Sequence, residues 1–397
     1  MDEEIISADR HTAEVAALHH EIYELNRLLE KSNRIAADKT TDSAGDPFDN
    51  PTEYKHFLRE YSDIVPELGT NGYSLPLEPE YGERKNIRRS YSVGGWCILL
   101  HFVLAFGLSV VFQNLLIMIM QMFNPSADVN TLFGYAYNSS ILVGLNMLIY
   151  LIVNVFFGWA GLRLGGFKGR SIISTNGFGI GKALQYCSIA LCIWTFSAYA
   201  SMGIEEILSR FGITSIVDQT GLGETPLALA VSTLYTCIIA PITEEIMFRG
   251  MLLRVFSRAS QRFAIFATAF FFGLAHGNVP QFVLAFLLGI FLAHITMCHN
   301  SIIPAVIVHM FINTFVTLFG FLEDSGETVM LIANMILFAV SFFGVIMLAV
   351  FKSGNRIPVA TPKQSTRGLY IAVSSVPFCL AVIVQMAYMI VSLVTNK

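Results

Sequence analysis

Charge is scarce in this sequence. Only 14% of the 397 residues are Asp, Glu, Lys or Arg, against about a quarter in a soluble domain. With 54% hydrophobic residues and a mean hydropathy of +0.59, the deficit excludes a chain folded mainly in water and places most of it in lipid. Paired cysteines are also missing. Cys97, Cys187, Cys192, Cys237, Cys298 and Cys379 all fall inside apolar segments and none forms a CxxC. A disulfide framework or a zinc ribbon is therefore not supported, and the thiols read as small packing groups. No HExxH occurs either, which removes the common helix-borne zinc pair. The first ninety residues are too polar for a cleavable signal peptide, and Val394-Thr-Asn-Lys397 is not a lipidation box.

The charge that is present is segregated. Residues 1–92 hold 19 of the 29 acidic and 11 of the 25 basic residues, so they read as an acidic cytoplasmic extension. Within it, Val15, Leu18, Ile22, Leu25 and Leu29 recur at alternating steps of three and four, which predicts an amphipathic helix over 13–37. Its apolar seam suits self-association, a cytosolic partner, or docking on the protein's own cytosolic face. Residues 38–92, with Asp46-Pro-Phe-Asp-Asn-Pro51 and Leu75-Pro-Leu-Glu-Pro79, read as a poorly structured linker. It closes on Arg84-Lys-Asn-Ile-Arg-Arg89.

Residues 93–397 read as a multi-pass membrane domain. Nine apolar segments approach the roughly 20 residues of a spanning helix: 94–123, 138–161, 183–202, 227–248, 264–279, 281–298, 301–320, 328–351 and 369–394. The fold class is all-α, a polytopic membrane helix bundle of about eight to nine transmembrane helices behind a soluble N-terminal extension. The fifth and sixth segments are short, and Asn278-Val-Pro280 between them predicts a tight corner. Loop charge orients the bundle. With the N-terminus cytoplasmic, the inner loops carry Arg163, Lys168, Arg170, Lys182, Arg254, Arg258, Arg262, Lys352, Arg356, Lys363 and Arg367. The outer loops carry only Arg210 and the terminal Lys397, beside Glu205, Glu206, Asp218, Glu224, Glu323, Asp324 and Glu327. The expected arrangement is a cell-membrane protein with its N-terminus inside and its C-terminus outside.

A charged side chain at the bilayer centre costs about 2.5–3.5 kcal/mol even on the lenient insertion scale, so it needs a partner or a function. Glu244 and Glu245, in Ala240-Pro-Ile-Thr-Glu-Glu-Ile-Met-Phe-Arg-Gly250, are the only acidic residues inside the nine segments. Arg249 follows Glu245 by four positions, on the same helix face, and Glu244 points about 100° away. Pro241 removes a backbone donor and frees a carbonyl of the preceding turn. Phe272 and His276 share a face of the next segment, as do His309 and Asn313 of the seventh. Three helices thus offer Glu, Glu, Arg, His, His and Asn to one buried level, expected in the inner half of the membrane. His101 and His294 stand alone on their helices and read as packing residues. Cys237, on the Glu244 face, lacks an evident base.

Peptide hydrolysis needs a base for water, donors for the oxyanion and an acid for the leaving amine. Apolar surroundings strengthen a carboxylate as a base, and a neighbouring guanidinium keeps one ionised. A histidine and an asparagine amide on one helix supply two donors. The order EExxxR (Glu244 to Arg249), FxxxH (Phe272 to His276), HxxxN (His309 to Asn313) resembles the CPBP family, the CAAX proteases and bacteriocin-processing (Abi-like) enzymes, which are intramembrane glutamic endopeptidases. The resemblance covers about residues 180–320. It implies Glu244 as general base, His276 sharing the water, His309 and Asn313 as oxyanion stabilisers, and Glu245 and Arg249 as a supporting pair. It implies no metal and no cofactor. The expected substrate is a membrane-tethered peptide or protein, prenylated in the CAAX branch or a leader or signalling peptide in the bacterial branch, to which Phe248-Arg-Gly-Met-Leu-Leu253 looks closer. The cavity is expected to open toward the cytosolic half, and no nucleic-acid partner is expected.

Three other readings stay open. Glu244, His276 and His309 are residue types that suit zinc, which would make a metalloprotease, although Arg249 beside them disfavours a dication. A non-catalytic scaffold or immunity-type binding protein would keep the same fold. A proton or ion carrier would use the carboxylates, but the inverted repeat common in carriers is not evident.

Overall fold

The computed structural model describes residues 18, 21–28, 67–69, 72–74, 81–137, 139–167, 169–173, 178–213, 225–257, 260–322, 325–354 and 366–395. Of the amphipathic segment expected over 13–37, residues 21–28 are helical, with Leu25 and Leu28 exposed, and most of the remainder lies outside the described residues. A small antiparallel hairpin, β1 (Glu67–Gly69) and β2 (Gly72–Ser74), pairs Leu68 with Tyr73. The stretch expected as linker is therefore partly ordered, and helix α1 (Tyr81–Phe123) begins ahead of the apolar run. Packing explains the early start: Tyr91 is fully buried and stacks on Phe256 with ring centroids 4.7 Å apart.

The bundle continues with α2 (Val129–Tyr137), α3 (Ser140–Leu164), α4 (Ile180–Arg210), α5 (Pro226–Ser257), α6 (Gln261–Leu274), α7 (Val279–His299), α8 (Ile303–Gly320), α9 (Glu327–Gly354), α10 (Thr366–Val373) and α11 (Val376–Thr395). Among the described residues, eight of these helices are long and apolar enough to cross a membrane. The exception within the expected set is the fifth segment. Helix α6 has 14 residues, about 21 Å at the α-helical rise, which is less than the ~30 Å hydrocarbon core. The last expected segment also differs. It breaks at Ser374–Ser375, where Pro377 opens α11.

Local chemistry sets these boundaries. The Ser139, Thr225 and Ser260 hydroxyls accept from backbone N–H groups of the first turns of α3, α5 and α6, the usual N-cap bond. Asn278 caps α7 by accepting from Gln281 N–H at 2.9 Å. Gly277, at φ 71°, supplies the left-handed residue that the α6–α7 corner requires. At its other end, α7 stops at Asn300, φ 52°.

Helix α5 is the centre of the bundle. Met247, Met251, Leu252, Leu253, Val255 and Phe256 have no exposed surface, while outward residues such as Val111, Leu331 and Phe342 present hydrocarbon to the surroundings. The two ends of the bundle differ in charge. Tyr91 meets Phe256, Ile302 N–H donates to Ile172 O at 2.9 Å, and Tyr186 hydrogen-bonds His299 at 2.7 Å. These contacts gather Arg88, Arg163, Lys182, Arg254 and Arg262 at one end. At the other, the Ser201 hydroxyl reaches Pro280 O at 3.5 Å and Trp194 packs on Phe319.

Helices α4 and α9 pack closely at Gly344, where a Cβ would collide with the Ser188 carbonyl oxygen. Backbone cannot yield as a flexible side chain does. Gly344→Ala is expected to destabilise the protein by about 1–3 kcal/mol, as overpacking does, measured as a lowered midpoint of thermal unfolding in detergent.

Candidate active site

Helix α5 is not regular. It passes from α to π geometry at Tyr235–Ile239, returns to α over Ala240–Glu245, and is π again over Ile246–Leu252. Short π segments inside α-helices occur often at functional sites. The first has a visible cause. In the π register Ala240 N–H bonds Tyr235 O, so the next donor, for Thr236 O, would be residue 241. That residue is proline and has no N–H. The orphaned Thr236 carbonyl accepts instead from Asn313 Nδ2 at 2.9 Å. The carbonyl that Pro241 was expected to free thus anchors α8 to α5.

Glu244 and Glu245 lie in the α turn between the two π segments. Glu245 is fully buried, and its Oε1 accepts from Arg249 Nη1 at 2.7 Å and from His309 Nδ1 at 2.9 Å. Arg249, also fully buried, reaches Gly289 O at 3.4 Å, and its guanidinium carbon lies 4.4 Å from the Phe272 ring centroid. The expected Glu245–Arg249 pair is present, but Glu245 also holds a histidine that sequence spacing did not connect to it. Glu244 points elsewhere, one quarter exposed, with Oε2 3.7 Å from His309 Nε2.

Phe272 is the hub. Its ring meets those of Phe248 at 5.1 Å, His276 at 5.1 Å and His309 at 5.6 Å, each edge-to-face. His276 follows the end of α6, and its Nδ1 lies 2.8 Å from Phe272 O. A carbonyl only accepts, so Nδ1 carries the proton and the Nε2 lone pair of a neutral ring stays free. By the same reasoning His309 donates through Nδ1 to Glu245.

One cavity of about 380 Å³ is lined by Glu244, Phe272, His276, His309 and Asn313, with Tyr235 and Gln281 also on its walls. Glu245 and Arg249 lie behind this wall. Among the described residues, no three His, Cys, Asp or Glu side chains converge as a metal-ligand set. Cys237 is buried, its thiol facing the Thr317 hydroxyl at 3.6 Å.

His101 is buried, as expected of a packing residue, and its hydrogen bond crosses to another helix. Its Nε2 donates to Asn154 Oδ1 at 2.7 Å, Asn154 Nδ2 donates to Thr243 Oγ1 at 3.3 Å, and Thr243 donates to Ala240 O at 3.1 Å. This buried chain ties α1 and α3 to the turn that presents Glu244. Asn154, a polar amide deep within an apolar segment, was the signal that could have revealed it. His294 packs against Phe351 at 5.3 Å, as expected of a packing residue.

Fold and site together define a multi-pass helical membrane protein with a carboxylate, imidazole and amide cavity at mid-bundle. Residues 226–315 match the family model described as Rce1-like, type II CAAX prenyl endopeptidase, a match consistent with the CAAX-protease family. All the motif residues from Glu244 to Asn313 fall inside the matched segment. No curated protein and no solved structure matches the chain.

Proposed function

We propose that the protein is an intramembrane endopeptidase that hydrolyses a peptide bond with water activated by Glu244. The observation carrying this reading is the convergence of Glu244, His276, His309 and Asn313 on one cavity, with Glu245 and Arg249 bracing it from behind. Glu244 accepts a proton from water, and the free His276 Nε2 accepts the water's second hydrogen. These two acceptors aim the oxygen lone pair at the scissile carbonyl carbon. As the C–O bond forms, the carbonyl π electrons become an oxyanion. Asn313 has one amide hydrogen left after bonding Thr236 O, and that hydrogen meets the oxyanion. For His309 to add an Nε2–H while holding Glu245, its ring must carry both protons, and the carboxylates on either side offset that charge. Glu244 then returns its proton to the leaving nitrogen as the C–N bond breaks.

The family domain supports a CAAX-type endopeptidase, and the loop charges support a cytoplasmic N-terminus with the C-terminus outside, because the short α6 still carries the chain from the basic end to the opposite end as a ninth pass. Residues 1–92 then form the cytoplasmic extension, with the 13–37 segment available for a partner or a second copy.

The test compares peptides from membranes of cells expressing the native chain or Glu244→Ala. New termini unique to the native chain are expected. Matching profiles at equal abundance would sink the reading in favour of a binding protein. Asn313→Ala is expected to lower turnover by about a hundred- to a thousand-fold, the loss typical of one oxyanion donor, while KM for the same peptide changes little. Pro241→Ala is expected to lower it less, because a restored N–H competes with Asn313 for Thr236 O.

A further inference from the structure

The expectation from sequence was a cavity opening toward the cytosolic half. The helix directions place it otherwise. Along α8, which starts at the basic end, the cavity wall runs from His309 through Asn313 to Val316 and Thr317, toward the helix end at Gly320. On α7, which starts at the opposite end, the wall is Gln281 to Leu288, the first half of the helix. On α5 it is Tyr235 to Glu244, again on the side away from Arg254. Toward the basic end the cavity is closed. Arg249, Leu252, Leu292, Ile295, Ala305 and Val308 have no exposed surface, whereas Gln281 at the other end is exposed.

The cavity does not stop at its own walls. Gln281, Leu284 and Val316 also line a second groove of about 380 Å³, which continues past Trp194, Ser201 and Met202 to Glu205 near the end of α4. An elongated site of this kind suits an extended polypeptide better than a compact ligand. Its far end lies beside the loops with almost no basic residues. Lys and Arg mark the cytoplasmic side of a multi-pass protein, and acidic residues contribute little to that rule. Among the described residues, Arg88, Arg163, Lys182, Arg254 and Arg262 lie at the closed end.

We infer that the cavity opens on the non-cytoplasmic face and takes the membrane-proximal stretch of an exported polypeptide, which lies along the Trp194–Glu205 groove with its scissile bond at Glu244. The substrate side rests on the endopeptidase reading; the direction of opening does not. The tether, if the substrate has one, is then in the outer leaflet.

The test is cysteine labelling in intact cells with a charged, membrane-impermeant maleimide, against the native chain as background, since its own cysteines lie in apolar helices. Asp128→Cys and Gln281→Cys probe the open end, and Arg163→Cys and Lys182→Cys the basic end; all four positions are exposed. Labelling of the first pair in intact cells, with the second pair labelled only after permeabilisation, is the expected result. The reverse pattern overturns the inference. So does labelling of Asp128→Cys with none at Gln281→Cys, which would mean that the cavity cannot be reached from that side. Peptide termini unique to the native chain should map to segments on the non-cytoplasmic side, and termini confined to cytosolic segments would overturn the substrate class. Absence of any new termini, with the expected labelling, would remove the endopeptidase reading and leave the opening where the helices place it.

Discussion

Glu244→Gln is expected to reduce the single-turnover cleavage rate by about a hundred- to ten-thousand-fold, the contribution typical of a positioned general base. Glutamine keeps the size of the side chain and its ability to hold water, but not its ability to take a proton. Folding should survive, because Glu244 is a quarter exposed and its ionic contact with His309 is 3.7 Å long. Abundance and unfolding midpoint should therefore match those of the native chain. His276→Ala should lose less, since Glu244 remains to take the proton and only the second acceptor for the water is gone. A Glu244→Gln protein that still cleaves at the native rate would move the base elsewhere in the cavity. Retained cleavage by His276→Ala together with loss in Glu244→Gln would leave the base in place and make His276 a positioning residue.

How much of this site was legible in the sequence depended on whether a contact followed helix spacing. The Glu245–Arg249 and Phe272–His276 relations are four residues apart on one helix, and spacing alone brings such pairs together. The liberated carbonyl near Pro241 was also readable, because proline has no donor wherever it falls. The π register that selects Thr236 as that carbonyl was not readable, since it comes from how α5 packs among its neighbours. Contacts between helices were hidden for the same reason. Glu245 to His309, Asn313 to Thr236 and His101 to Asn154 join residues whose juxtaposition is set by tertiary packing. The shortness of α6 and the corner after it were legible, but its exact end was not, because the apolar run continues through Ala275 into the Gly277–Asn278 corner, where a left-handed glycine and an N-cap end one helix and begin the next. The nearly continuous apolar pattern also gave no sign that the cavity would face away from the arginines. The opening is set by the direction of each helix and by how the helices pack around the cavity.

The largest effect on stability is expected at Arg249. Arg249→Met leaves Glu245 fully buried with its only full cation removed, and breaking a buried pair in this way costs about 3–5 kcal/mol. The Arg249 guanidinium also lies against Phe272 and reaches Gly289 O, so loss of packing adds to loss of charge. Glu245→Gln removes the other partner and leaves Arg249 buried with an amide in place of a carboxylate, which should cost a similar amount. The double variant Glu245→Gln/Arg249→Met has no buried charge left uncompensated by either change. Much of the lost stability should return, because replacing both members of a buried pair is often neutral. Activity should not return with it. Glu245 Oε1 is the acceptor that fixes His309 through Nδ1, and a glutamine there no longer offsets charge on the imidazole. Recovery of the unfolding midpoint without recovery of cleavage would show that the pair serves the fold through Arg249 and the chemistry through His309. Recovery of both would reduce the pair to a structural brace, and the oxyanion would then be supported by Asn313 and by a His309 whose charge Glu244 alone offsets.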